Sequence, residues 1–253
     1  MARFDELKKR ILEDGIIDAD EVELLRKELY DDEIIDREEA DLLFALNDAT
    51  SGADNDASWQ ELFVKALSDH VLADEISPGV IDEDEAEYLI DKIQADGVVD
   101  GNELALLVNI AATGKGAPDA FNAFILSSLK AVVLEDGIID EAEVKAISTV
   151  IYGAGGAGGE AVDRMEADFL FDLNDATSGN ENHPSWQSLF VEAICSYVLE
   201  DEVSPGEIDE DEADYLIDKI MADGVIDDNE KALLAAIKVK ATKIDDKLKA
   251  KLG

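Results

Sequence analysis

The 253-residue chain holds one cysteine, Cys195, so no disulfide can form within it and no cysteine-based metal site can be built. Two histidines, His70 and His183, are too few for a zinc cluster. Basic residues are scarce as well: 21 Lys and Arg stand against 62 Asp and Glu, a formal charge of −41. Such a surface repels nucleic acid and anionic membranes and attracts cations or basic protein partners. No apolar run approaches the roughly 18 to 20 residues of a membrane span. The opening "MARFDELKKRI" reads as an amphipathic helix rather than a signal peptide. A soluble, cytoplasmic protein with no membrane insertion is the expectation. Four prolines, few aromatics and the lack of any alternating polar and apolar stretch argue against a substantial sheet.

What the chain has instead is repetition. "LEDGIID" at 12–18 returns at 134–140, 122 positions later, while "LNDATSG" at 46–52 and "YLIDKI" at 88–93 return 127 positions later. The difference of five is an insertion around "GAGGAGG", residues 153–159. The chain thus reads as two similar halves, with the expected boundary near "GKGAP": domains 1–116 and 117–253, the second with a Lys-rich C-terminal tail.

A shorter signature recurs within each half, a β-branched residue followed by Asp-x-x-Glu. Its copies are Asp18/Glu21, Asp36/Glu39, Asp82/Glu85, Asp100/Glu103, Asp140/Glu143, Asp163/Glu166, Asp209/Glu212 and Asp227/Glu230. Apolar residues after each follow helical spacing, as in Val22, Leu24, Leu25 and Leu29. The expected fold is therefore all-α, a tandem duplication of a multi-helix domain with two helix-loop-helix units in each half and about a dozen helices. "ATSGADNDAS", "TGKGAPD", "GAGGAGGE" and "ATSGNENHPS" are the connecting loops.

Asp followed three residues later by Glu is a capping box, in which the Asp accepts from first-turn N–H groups and the Glu reaches back to the Asp N–H. Capping alone accounts for Asp18 and Glu21. It does not account for the exclusive choice of Asp and Glu, since Ser, Thr or Asn and Gln serve as well. Gly15, Gly79, Gly97, Gly137, Gly206 and Gly224 stand three residues before the Asp in six copies, with Glu33 and Glu160 in the other two. Glycine there implies a turn with positive φ.

Gly, β-branched residue, Asp and Glu at this spacing match the second half of an EF-hand loop. The first half is missing: Arg10 and Leu12, or Lys92 and Gln94, fall where ligands are needed. Asp74 and Asp201 keep the first position of the third and seventh motifs, but Ile76 or Val203 and Pro78 or Pro205 follow. A conventional EF-hand is rejected.

The stretch Asp14-Gly15-Ile16-Ile17-Asp18 with Glu21, and Asp96-Gly97-Val98-Val99-Asp100 with Glu103, repeated from Asp136 to Glu143 and from Asp223 to Glu230, resembles the motif of TerB-like helical domains, a family named for tellurite resistance. The resemblance implies an all-helical fold in which two motifs approach and place acidic residues around a divalent cation. Electrostatics point the same way. Two carboxylates about 6 Å apart repel by roughly 3 kcal/mol at an effective dielectric near 20, and a bound cation would turn that repulsion into folding energy. Hard oxygen ligands favour Ca²⁺ over Mg²⁺ or other hard divalent or trivalent ions. One expected site is Asp14, Asp18 and Glu21 with Asp96, Asp100 and Glu103. The other is Asp136, Asp140 and Glu143 with Asp223, Asp227 and Glu230. The rival reading is an acidic interaction scaffold without specific metal.

Other features have plainer readings. Asp48, Asp54, Asn55 and Asp56 read as a solvated turn, with Ser58 and Ser185 capping the next helices, and Trp59 and Trp186 as core anchors. His70 and Cys195 read as filler. "GAGGAGG" lacks the Lys-Ser/Thr of a phosphate loop, and no nucleophile and base stand out, so an enzyme is not expected. The six lysines from Lys238 to Lys251 suit a helix C-terminus, or an arm that docks on the acidic body.

Overall fold

The computed structural model describes residues 4–31, 34–73, 77–153, 161–200, 204–222 and 224–252. Glu33, Asp74, Ile76, Glu160, Asp201, Val203 and Asp223 lie outside the described residues, as does the insertion from 154 on. The chain divides into two compact units at residues 128 and 129. The first holds α1 (Asp5–Ile11), α2 (Ala19–Leu29), α3 (Arg37–Thr50), α4 (Ala57–Leu72), α5 (Glu83–Ile93) and α6 (Gly101–Thr113). The division falls inside α7 (Asp119–Val133). The second holds α8 (Glu141–Ile151), α9 (Arg164–Thr177), α10 (Pro184–Leu199), α11 (Glu210–Ile220), α12 (Asp228–Lys240) and α13 (Asp246–Leu252), with a parallel pair of two-residue strands, β1 (Glu207–Ile208) and β2 (Lys243–Ile244). The fold is all-α, with thirteen helices among the described residues.

Each of the eight Asp-x-x-Glu signatures opens a helix as a complete capping box. In α2 the Glu21 amide donates to Asp18 Oδ1 at 2.9 Å and the Asp18 amide to Glu21 Oε2 at 3.1 Å. Before the boxes the chain must reverse, and glycine makes this possible: Gly15 and Gly97 sit at φ +81° and +83°, a region that strains any side chain. The remaining four glycines of the series share that conformation.

At the centre of the first unit lies α4, packed on α2, α3 and α6. It buries Trp59, Leu62, Phe63, Ala66, Leu67 and Val71, the three-and-four spacing that places one face of a helix in the core. Phe63 meets Phe44 of α3 edge to face, ring centres 5.5 Å apart, and Phe44 meets Tyr88 of α5 at 6.0 Å. In the second unit α10 takes this place against α8, α9 and α12. It buries Trp186, Leu189, Phe190, Ala193, Ile194 and Val198, with Phe171, Phe190 and Tyr215 in the same edge-to-face chain. The tryptophans are core anchors. Cys195 is buried, and His70 is half-buried with Nδ1 2.7 Å from the Ile35 carbonyl.

The α4 and α10 caps differ from the expectation. Asp56 and His183, not Ser58 and Ser185, are the N-caps, and each accepts from the serine's amide two residues on. The lysine tail docks on its own body: α13 packs on α11, where Lys247 Nζ reaches Glu210 at 2.8 Å and Asp214 at 2.8 Å.

Because the Asp82 box is exposed, Asp82→Ala should cost about 1 kcal/mol in urea unfolding. Asp82→Asn, which can still accept from the first-turn amide, should be near neutral by the same measurement.

Candidate functional site

The residues expected to hold cations have other partners here. Asp14, Asp96 and Asp136 are exposed and turn inward on their own loops, accepting from the amides of Ile16 (3.1 Å), Val98 (2.9 Å) and Ile138 (2.9 Å). Asp18, Glu21, Asp140 and Glu143 close their capping boxes. Burial is the first cause raising the Glu21 and Glu143 carboxyls above their ordinary values, with repulsion from Asp18 and Asp14, or Asp140 and Asp136, adding to it.

Asp100 is bound on both oxygens. Its Oδ1 accepts from the amides of Asn102 and Glu103, and its Oδ2 from Asn47 Nδ2 at 2.7 Å and Ser51 Oγ at 3.3 Å. Asn47 is buried near the end of α3, and its carbonyl accepts from Asn102 Nδ2 at 2.8 Å. Gln60 of α4 donates to Asn102 Oδ1 at 3.1 Å. One buried asparagine therefore joins the end of α3 to the start of α6. The second unit repeats the arrangement 127 positions on: Asn174 Nδ2 to Asp227 Oδ2 at 2.8 Å, Ser178 Oγ to the same oxygen at 3.0 Å, Asn229 to Asn174 at 2.8 Å and Gln187 to Asn229 at 3.0 Å.

The loop after α3 also holds the first motif. Ile17 N donates to Asn55 Oδ1 at 2.8 Å, Asp56 N donates to the Ile17 carbonyl at 2.8 Å, and Asn55 Nδ2 donates back to the Thr50 carbonyl. Ile139, Asn182, His183 and Thr177 repeat this in the second unit. What reads in sequence as a solvated turn is a structural clasp with the first motif on one flank and the fourth on the other. The motifs meet through this loop, and the amide and hydroxyl donors of Asn47 and Ser51 stand where a cation would have to approach Asp100 Oδ2. Among the described residues no group of three or more His, Cys, Asp or Glu is placed to hold a metal ion. Asp223, the remaining expected ligand, lies outside them.

Repulsion does gather around the fourth motif. Glu103 is buried, 3% exposed, and its carboxyl is pushed up to about 8, first by burial and then by Asp100, Asp96 and Asp48. Asp48 is raised too, by partial desolvation first and then by Asp96 and Asp100. Glu39, Glu166 and Glu230 are equally buried at the corresponding helix starts.

No protein-family model, curated protein or solved structure matches the chain. No described helix is long and apolar enough to cross a membrane.

Two outcomes follow. Asn47→Ala removes two part-buried hydrogen bonds, one to Asp100 and one from Asn102, and should lower stability by about 2 kcal/mol, read by chemical denaturation; Asn47→Asp, which sets a second carboxylate there, should cost more. Glu103 titrates near 4.5 when unfolded and near 8 when folded. In that window the folded state holds a proton the unfolded state lacks, so stability falls as pH rises and the loss is complete above about 8. Glu103→Gln keeps the capping amide acceptor without the charge, so its melting temperature should exceed that of the wild type by a margin that grows from pH 5 to pH 8.

Proposed function

We propose that this chain is a non-enzymatic acidic interaction module, its Asp and Glu residues serving as helix caps and its excess charge recruiting a basic protein partner. The observation that carries this reading is that all eight acidic motifs bind backbone amides at helix starts. Their carboxylates fix the fold and still leave the surface strongly negative. Several of the few cations are already paired within the chain, as in Lys65–Asp69, Lys92–Asp41, Lys130–Asp172 and Lys219–Asp168. Neutralisation of the remainder falls to an external partner. On this reading the two halves, 1–116 and 117–253, are copies of one helical domain.

A second reading is favoured by the repulsion among Asp48, Asp96, Asp100 and Glu103. A hard cation, Ca²⁺ first, would relieve it, in keeping with the resemblance to TerB-like domains. Asp14, Asp18 and Glu21 would then complete the shell by closing on the fourth motif, and Asp136, Asp140 and Glu143 would do the same with the motif of Asp227 and Glu230 in the second half.

One pair of titrations separates the two. In about 0.15 M KCl, where surface charges are screened beyond about 8 Å, a short Lys/Arg peptide should give saturable heats that weaken as KCl is raised, and chelator-treated protein should give Ca²⁺ heats no different from Mg²⁺. Selective saturation by Ca²⁺ at a whole number of sites, abolished by Asp18→Ala with Asp100→Ala, would reverse the order of the readings.

A further inference from the structure

The two units carry almost the same helix at α5 and α11: "EDEAEYLIDKI" at 83–93 and "EDEADYLIDKI" at 210–220 differ only in Glu87 against Asp214. In the second unit this helix holds a lysine on its surface. Lys247 Nζ, presented from α13, lies 2.8 Å from Glu210 Oε1 and 2.9 and 2.8 Å from the two oxygens of Asp214. Three acceptors thus meet the three N–H donors of one ammonium.

The first unit has the carboxylates without the lysine. Its chain enters the corresponding helix through the same backbone bonds. Lys115 N donates to the Gly79 carbonyl at 2.6 Å and Asn122 N to the Pro118 carbonyl at 3.1 Å, as Thr242 N does to Gly206 at 2.7 Å and Lys249 N to Asp245 at 3.1 Å. The residue that stands where Lys247 does is Ala120. Ala120, Glu83 and Glu87 are all exposed. Among the described residues neither carboxylate has a hydrogen bond or an ion pair. The first unit therefore presents to solvent a pair of acids whose counterparts, 127 positions on, are filled by an ammonium.

We infer that Glu83 and Glu87 form a docking point for a lysine side chain of a basic protein partner. The second unit displays the chemistry of the occupant: a compact ammonium, which converging carboxylate oxygens suit better than they suit the flat fork of a guanidinium. Net charge selects the kind of partner. A second copy of the chain would bring a formal charge of −41 against an equal charge, whereas a basic segment is drawn in. One exposed ion pair contributes little by itself, so this contact fixes where the segment sits and the surrounding acidic surface supplies the rest of the attraction. This inference deepens the acidic-module reading and rests on it.

The test is a titration of the whole ¹⁵N-labelled, backbone-assigned chain with a capped Gly-Lys-Gly-Lys-Gly peptide at low salt, where surface attraction is least screened. The amides of Glu83, Glu87 and Ala120 should move saturably, and those of Glu210 and Asp214, whose carboxylates are already engaged, should move less. Ala120→Lys, which gives the first unit the lysine of the second, should weaken the binding read at those amides about threefold or more. Glu83→Gln with Glu87→Gln should do the same. Lys247→Ala should open the second pair, so that the amides of Glu210 and Asp214 respond as those of Glu83 and Glu87 do. Should Lys247→Ala loosen α13, Ala120→Lys and the double variant carry the test alone. If saturable shifts appear elsewhere on the surface while Glu83, Glu87 and Ala120 stay fixed, or if Ala120→Lys and the double variant bind as the wild type does, the docking inference is overturned and the acidic-module reading stands. If the chain alone forms dimers that the double variant abolishes, a second copy fills the site and the inference falls. If no saturable shift appears anywhere, both fall.

Discussion

A buried asparagine amide holds each unit together at its most demanding point. Two helices that end and begin side by side present unpaired backbone groups, and the acids that cap them carry charge into a half-dry region. Asn47 answers both needs, with its amino group on the Asp100 carboxylate and its carbonyl on Asn102. A longer or charged side chain could not do this with both ends in so short a span. Asn174 does the same in the second unit. That pair of hydrogen bonds ties the start of α6 to the end of α3, while the apolar faces of α4 and α6 pack on one another.

From this clamp outward, the acidic composition takes on a structural meaning. A carboxylate at a helix start faces the positive end of the helix dipole, so eight boxes can be stacked in one chain without each needing a lysine. The cost appears where burial deepens, at Glu103 and Asp48, whose protons are held more tightly than usual. The fold thus tolerates its charge by distributing it to helix starts.

Local features were legible in the chain before any coordinates. The capping boxes, the glycine turns and the apolar faces of α4 and α10 each involve residues within a turn or two of one another, which spacing can reveal. The clasp was not, because Asn47 finds Asp100 across 53 residues and a lone asparagine within a helix has no periodicity to betray it. Its signal was the word-for-word return of "LNDATSG" in the second half, a polar stretch repeated more faithfully than solvation alone requires. The shift of the α4 and α10 caps from serine to the residue two earlier had a local sign in Pro184, whose fixed φ suits the first helical position. Nothing in the spacing disclosed that the first and fourth motifs would be held by a loop between them.

The His183 cap starts the central helix of the second unit on a different kind of acceptor from the one that starts it in the first. An Asp side chain remains an acceptor down to strongly acid conditions, and Asp56 is held below the usual carboxylate range by its hydrogen bonds from Ser58. An imidazole accepts only through an unprotonated nitrogen, here Nδ1 toward Ser185. The helix at the centre of the second unit therefore begins on a ring nitrogen, while its counterpart begins on a carboxylate that also brings a negative charge to the positive end of the helix. The same cap position is thus filled by two different chemistries, one acting through geometry alone and the other through geometry and charge together.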